Sequence, residues 1–521
     1  MQRSRQLLIA LVAGVAIVGA ACTSDDDDAT SAASTPASPV ATEVAGSATA
    51  TTEAPAPTPA VIDTSSPSTL SVANPEFNYG AAVWQAYWLS RDHFGPFVMG
   101  SGLGIPFEPP MEMLQAAMGM IAQNAADPVM IPANLFPLQA VFASGSPALV
   151  NNPMDFDMMD FEGLRLDPAT FDERVTVRAQ AETMLKESQW ARNFANGHFG
   201  APDASFGAQQ RFMGLMVNML AQMQGQYAMQ NLMGEDGLYY DSDGNLDYAG
   251  NWVMLQTLTD IASQAGEAGG RYESADVAPM FAGAAEQLEG ALAEREPESI
   301  AESAVAIRAL TYRIAYAGTG SDTVARLVAI ADGLLDEEPQ APADRGAAIA
   351  GLVSAGHATG VQGYLDRAAE LFADLEADFQ PADGVFSSQD VYTVDDVAWI
   401  LGGANALVLG GPQELKADAA RLLTAFYEST LNVSGMQLSA PPGKDGAMAG
   451  EFEKTLPSVV YYHGADTPAP PESGMLTVPA REITWSGGWS VSDTTFDTAG
   501  AMHLANELNW FGPHLGALML P

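Results

Sequence analysis

The sequence predicts a mainly α protein, with a body of helical hairpins followed by a small C-terminal region that contains a β hairpin. Two observations predict this class. Between residues 173 and 434, apolar side chains recur at the i, i+3, i+4 and i+7 spacing of amphipathic helices, and the connections between these runs are short. From residue 435 onward Pro and Gly become frequent, and residues 476–492 then alternate like strands around a turn at 486–488.

The chain begins with a predicted lipoprotein signal peptide over residues 1–21. Arg3 and Arg5 precede an apolar run over residues 7–18 that is too short to span a bilayer comfortably. Small residues then lead into Cys22, the single cysteine of the chain. This ending resembles the lipobox of bacterial lipoproteins, which implies that Cys22 is acylated. We therefore expect a lipid-anchored protein on the bacterial cell surface or the extracytoplasmic side of the membrane.

The next segment, residues 22–75, is rich in Ala, Thr, Ser and Pro, which predicts a disordered tether between the anchor and the folded body. The whole chain has a formal net charge of −43. A charge of this sign and size repels phosphate backbones, so nucleic acid is not an expected partner.

The body is predicted to begin with a mixed irregular and helical part over residues 76–172. The helical-hairpin part, residues 173–434, and the loop-rich C-terminal region, residues 435–521, follow. The predicted helices of the hairpin part cover residues 175–195, 212–232, 246–265, 278–295, 300–317, 324–335, 345–359, 364–379, 394–409 and 414–431. A terminal helix is predicted at 498–510, and we expect the C-terminal hairpin and helix to pack on the helical body.

One stretch occurs twice, at residues 236–252 and at residues 383–399. Without a gap, Asp236, Gly237, Asp243 and Trp252 align with Asp383, Gly384, Asp390 and Trp399. Each copy opens with an Asp-Gly turn and continues into a long predicted helix that carries its Trp in the first turns.

Helical hairpins joined by such acidic and aromatic junctions resemble the (α/α) toroid proteins, a superfamily that includes six-hairpin glycosidases and sugar epimerases. The resemblance covers residues 173–431. It implies a funnel at one end of the helices, where aromatic faces stack on sugar rings and carboxylates bind hydroxyls or transfer protons. The candidate catalytic carboxylates are Asp236, Asp383, Asp395 and Asp396. The candidate ligand-binding aromatics are Tyr239, Trp252, Phe386, Tyr392 and Trp399.

Structural roles are the alternative for each of these residues. Carboxylates at helix starts cap backbone amides and complement the helix dipole, and tryptophans at helical spacing more often belong to a core. The charged and aromatic run over residues 178–194 is likewise interpreted as a packing helix laced with ion pairs.

Calcium is a candidate cofactor of the first acidic loop. Asp241, Asp243, Asn245 and Asp247 place oxygen atoms at alternate positions around a glycine, which suits a hard cation, although the spacing is not that of an EF-hand. The alternative is a solvated turn in which Asp247 caps the next helix.

The leading hypothesis is a surface lipoprotein that binds or processes a neutral or cationic glycan at an acidic and aromatic cleft. The first alternative is a non-enzymatic acidic scaffold, or a solute- or cation-binding lipoprotein. A weaker alternative is a metal-dependent enzyme that uses His503 and Glu507 with His463 or His514. The sequence leaves open whether the protein is an enzyme.

Overall fold

The computed structural model describes scattered residues between 78 and 119, and then residues 136–146, 166–196, 204–318, 320–436, 479–493 and 495–509, all within one compact unit spanning residues 67–521. The predicted signal peptide, Cys22, the tether, His463 and His514 lie outside the described residues. In the described part of the chain, no helix is both long enough and apolar enough to cross a membrane.

The helices of the body follow one another with mostly short connections, as the periodicity predicts. They are α1 (Val177–Asn196), α2 (Ala204–Asn231), α3 (Tyr248–Gly266), α4 (Val277–Leu292), α5 (Ile300–Ala317), α6 (Ser321–Leu335), α7 (Pro342–Thr359), α8 (Gln362–Asp378), α9 (Val394–Gly410), α10 (Lys416–Tyr427) and α11 (Thr498–Asn509). A π-helical segment, Glu428–Val433, continues α10.

Six helices form a closed ring in the order α1, α3, α5, α7, α9, α11. Each packs against the next, and α11 packs back against α1. The intervening helices α2, α4, α6, α8 and α10 each pack on a ring helix beside them. Because helices joined by short connections run antiparallel, the ring helices from α1 to α9 share one direction. The predicted mainly α, toroid-like body of helical hairpins is confirmed.

Burial separates the two sets of helices. In α9 nearly every residue from Val394 to Leu407 is buried, as expected for a helix with neighbours on all sides. In α4 only one stripe is buried, at residues 277, 281, 284, 285, 288 and 292. A single apolar stripe is typical of a helix that covers a core from outside.

Glycines let two ring helices approach closely. A Cβ on Gly403 of α9 would collide with the carbonyl oxygen of Gly346 on α7, and a Cβ on Gly346 would collide with the carbonyl oxygen of Trp399. The backbones of α7 and α9 are therefore in direct contact, which no larger side chain would allow.

Short antiparallel strands pair at several places along the described part of the chain. The pairs are β1 (Gly104–Pro106) with β2 (Leu138–Val141), β3 (Ser144–Gly145) with β9 (Phe496–Asp497), and β4 (Phe379–Gln380) with β5 (Val385–Phe386). A three-stranded sheet has the order β6 (Val391–Thr393), β7 (Glu482–Trp485), β8 (Trp489–Asp493).

The predicted hairpin is the β7–β8 pair, and the terminal helix is α11. Strands β4 to β6 were not predicted, because two or three residues are too few to show alternation. The C-terminal region also does more than pack on the body. Its strand β7 extends β6, and α11 is itself the sixth member of the ring.

Candidate functional site

The two copies of the repeated stretch lie on opposite sides of the ring. Their turns have the same backbone geometry, with Gly237 at φ +84° and Gly384 at φ +67°, a region that favours glycine. They lead into α3 and α9, which are the second and fifth members of the six-helix ring. The repeat therefore marks equivalent positions half a ring apart.

The two turn aspartates do not join a common cluster. Asp236 is exposed, and its carboxylate accepts hydrogen bonds from Tyr240 Oη (2.7 Å) and the Leu238 amide (3.2 Å). The bond from Tyr240 lowers the pKa of Asp236. Asp383 is half-buried, and its carbonyl oxygen accepts from Ser429 Oγ at 2.8 Å. A catalytic role for either residue stays a prediction.

Asp396 caps α9. Helix capping is the structural role that the sequence analysis gave as the alternative to catalysis. Its amide donates to Thr393 Oγ1 (3.1 Å), and its carboxylate accepts from the Thr393 amide (2.9 Å). Burial raises the pKa of Asp396. This capping box fixes the start of α9 and thereby places the adjacent Asp395.

All five candidate aromatics belong to the core. Tyr239, Trp252, Phe386, Tyr392 and Trp399 are each at most 3% exposed. Of these five, Trp399 is the one that contacts charged side chains inside the ring, and it is the one that we include in the candidate site.

The acidic loop after the first turn supports the start of α1. Asp241 accepts a hydrogen bond from the Val177 amide (2.7 Å), and Asp247 caps α3 by accepting from the Gly250 amide (3.1 Å). Asp243 lies 3.6 Å from Arg174. The Asn245 carbonyl oxygen accepts from the Asp241 amide at 2.8 Å. Calcium binding by this loop stays a prediction, which a calcium titration of the melting temperature would test.

The structure brings three charged side chains together at the end of the ring where α1 and α9 begin. Oδ1 of Asp395, the second residue of α9, accepts from Arg178 Nη2 (2.5 Å) and from His503 Nδ1 (2.7 Å). Arg178 is the second residue of α1, and His503 lies on α11 between these two helices. The side chains of Arg178 and Asp395 are 24% and 29% exposed, whereas His503 is 2% exposed. We call this end of the ring the mouth.

The electrostatics of this cluster favour a charged histidine. Burial opposes the charge on His503, but the nearby carboxylates of Asp395, Glu507 and Glu182 outweigh it and raise the pKa of His503 to about 9. Burial also opposes ionisation of Asp395, yet Arg178 and His503 hold the pKa of Asp395 well below its usual range. At neutral pH the mouth therefore holds an imidazolium between ionised carboxylates.

A second ion pair lies deeper. Glu507 forms two hydrogen bonds with Arg308 of α5, and its Oε1 is 3.4 Å from His503 Nε2. Burial opposes ionisation of Glu507, but Arg308 and His503 outweigh it and lower the pKa of Glu507. The Trp399 ring lies edge-on to the imidazole of His503, with centroids 4.5 Å apart, and Arg308 lies over the same ring.

Glu182 is the third carboxylate near His503. It lies one turn after Arg178 on α1, and its Oε2 accepts from Asn506 Nδ2 at 2.7 Å. Burial is the main reason that its pKa is raised, and His503 and Arg178 offset only part of that effect. A raised pKa makes the Glu182 carboxylate a stronger base than an exposed glutamate.

The arrangement suits acid–base chemistry better than metal binding. In the described part of the chain, no group of His, Cys, Asp and Glu has a geometry that could hold a metal ion. At this cluster, moreover, each of the carboxylates Asp395 and Glu507 already pairs with an arginine. Their charge is thus largely neutralised before any cation approaches.

Sequence reasoning identified Asp395, Trp399 and the His503–Glu507 face, but not their partners. Arg178 and Glu182 were interpreted as part of a packing helix, and Arg308 was not singled out. A signal was present, because Arg308 interrupts the apolar run over residues 304–310. A single charged residue in such a run is either exposed to solvent or buried in an ion pair. Only the position of Glu507 on α11 shows that Arg308 is buried in a pair.

No protein-family model and no curated protein matches the chain. Among solved structures, a sugar epimerase from a ruminal bacterium is similar at 11% identity and a TM-score of 0.41, over 71% of this chain and 92% of that one. A cellobiose 2-epimerase from Bacillus thermoamylovorans is similar at 9% identity and a TM-score of 0.40, over 64% and 88%. A GH76 α-mannanase from Bacteroides thetaiotaomicron is similar at 11% identity and a TM-score of 0.36, over 65% and 89%. The closed ring is observed directly in the contacts between the helices of this chain.

Proposed function

We propose that the mouth of the helical ring binds and processes a neutral or cationic glycan. The observation that carries the proposal is the placement of His503. It is a buried histidine held against a partly exposed carboxylate and a partly exposed arginine, at the mouth of a closed ring.

The chemistry of the cluster fits a hydroxyl-rich ligand. The hydrogen bonds that Asp395 receives from described residues reach Oδ1, which leaves Oδ2 to accept from a sugar hydroxyl. Arg178 donates to hydroxyl or ring oxygens from the same side. His503 is charged at neutral pH, so it serves as a proton donor, and Glu182, whose pKa is raised, is the proton acceptor.

Proton NMR tests this proposal directly. The full chain is incubated in D₂O with neutral and amino-sugar mono- and oligosaccharides. New anomeric signals report bond cleavage, and deuterium at a ring carbon reports proton transfer. The His503→Gln variant is expected to lose about 10²–10⁴-fold in rate, the usual contribution of a general acid.

The matched control is His357→Gln. His357 is exposed, and its Nε2 contacts the Gly410 carbonyl oxygen at 2.8 Å, away from the mouth. Its variant is expected to keep the full rate. Turnover that survives in His503→Gln at the level of the control would contradict the role of His503.

Sugar binding without turnover is a second candidate function. The observation that favours it is the mutual neutralisation of Asp395 with Arg178 and of Glu507 with Arg308, which is also what a rigid binding site requires. In the same experiment, line broadening of sugar signals without new signals would indicate binding alone.

We also propose that Cys22 anchors the protein to the bacterial membrane through acyl chains, on the cell surface or the extracytoplasmic side, with residues 22–75 as the tether. Detergent phase partitioning of the expressed chain tests this. The wild-type protein is expected in the detergent phase and Cys22→Ser in the aqueous phase, and equal partitioning of the two would refute lipidation.

A further inference from the structure

The axis of the ring is crossed by polar side chains below the mouth. The Arg308–Glu507 pair joins α5 to α11, which are the third and sixth members of the ring and therefore stand opposite each other. A salt bridge between opposite helices passes through the middle of the ring. Both side chains are at most 7% exposed, so they fill that space.

A glycine makes room for this crossing. A Cβ on Gly402 of α9 would collide with the carboxylate of Glu507. The carboxylate cannot easily move aside, because Arg308 holds both of its oxygens and His503 lies beside it. Gly402 thus lets Glu507 occupy the centre of the ring.

A second polar contact lies deeper in the ring. Gln189 of α1 donates to Tyr312 Oη of α5 at 3.4 Å, and these two helices are separated by α3. Gln189 is eleven residues after Arg178 on α1, which places it roughly 16 Å further along the helix. Both side chains are buried, so the space between these two helices is filled at this level.

We infer, on the basis of the proposed function, that the mouth is a blind pocket that accepts one end of a glycan chain, with Arg308 and Glu507 as its floor. Glu507 lies one helical turn, roughly 6 Å, further along α11 than His503. The partly exposed side chains of Arg178 and Asp395 lie above this floor, and a terminal sugar unit would bind to them there. An internal segment of a chain would need a groove that is open at both sides, whereas six helices enclose this mouth.

Substrate length tests the inference. Affinities of the full chain are measured by calorimetry for linear glucose and mannose oligosaccharides of one to six units, and for a cyclic glucose oligomer that has no chain end. The dissociation constant is expected to improve by less than about threefold beyond two units, and the cyclic oligomer is expected not to compete.

Two failures are distinguishable. An affinity that rises more than about tenfold between two and six units, or a cyclic oligomer that binds as tightly as its linear counterpart, would overturn the blind pocket while leaving the proposed function in place. If no sugar binds at all, the proposed function fails and this inference falls with it.

A variant tests the floor itself. In the double variant Arg308→Ala with Glu507→Ala, the pocket becomes deeper while Arg178 and Asp395 remain, so the ratio of disaccharide to monosaccharide affinity is expected to rise at least about tenfold. The control is Arg313→Ala, which removes another buried arginine of α5 that pairs with Glu289 on the outer helix α4. An unchanged ratio in a folded double variant would contradict the role of the ion pair as the floor.

Discussion

Protonation of His503 contributes to the stability of the fold, and the size of that contribution can be worked out from its pKa. The pKa of His503 is about 9 in the folded protein against an ordinary value of 6.5. A pKa that is raised on folding stabilises the protein fully below 6.5, and the effect is lost as the pH rises through 9. The difference corresponds to about 3 kcal/mol of unfolding free energy.

Charged groups from four helices set this value. Asp395 on α9, Glu507 on α11 and Glu182 on α1 favour the imidazolium, while Arg178 on α1 and Arg308 on α5 pair with two of those carboxylates. The carboxylates of Asp395 and Glu507 have lowered pKa values. Because both carboxylates are already ionised well below pH 6.5, their contributions to the unfolding free energy do not change between pH 6.5 and pH 10.

Lys186 gives the stability a pH dependence of the opposite sign, so the assay has to separate its effect from that of His503. It is fully buried, with Nζ bonded to Ser90 and the Ala505 carbonyl oxygen, and burial lowers its pKa well below the ordinary value. An unfolded lysine takes up a proton that the folded one lacks, so this residue makes stability rise with pH. The diagnostic quantity is therefore the difference between wild type and His503→Gln.

Urea unfolding at intervals from pH 6 to pH 10 measures that difference. The stability advantage of wild type over His503→Gln is expected to shrink by about 3 kcal/mol across this range. His357→Gln, which changes an exposed histidine, is expected to follow wild type throughout. An advantage that stays constant with pH would refute the charged state of His503.

Three further predictions concern the ring. Gly403→Ala is expected to destabilise the fold by about 1–3 kcal/mol or more, because the added Cβ overpacks against α7. The control is Gly333→Ala, where an added Cβ meets nothing and is expected to stabilise α6 by up to about 1 kcal/mol. The midpoints of urea unfolding compare the two variants, and equal effects would contradict the close approach of α7 and α9. Thr393→Ala removes the cap of α9 and is expected to cost about 1 kcal/mol in the same assay, and no loss would show that the capping box is dispensable. Arg308→Met leaves the buried Glu507 carboxylate without its arginine and with only His503 beside it, which is expected to cost about 3–5 kcal/mol at neutral pH and less when acid protonates the carboxylate. A loss that is independent of pH would indicate that the arginine contributes through packing alone.

The sequence by itself determined the helical class, most helix positions and the two equivalent glycine turns. These features follow from local forces. A helix depends on contacts between residues three or four positions apart, and a turn at positive φ depends on one glycine, as at Gly237 and Gly384. The capping role of Asp396 was likewise foreseeable, because a cap involves residues three positions apart.

Only the tertiary structure decided which helices form the ring and which charges meet inside it. Arg178 and Asp395 are 217 residues apart in the chain, and Arg308 and Glu507 are 199 apart. A charge at one position of a helix satisfies the same local pattern whether it faces water or a buried partner. The partner is fixed by closure of the ring through α11, a contact between the two ends of the folded body that no local periodicity encodes.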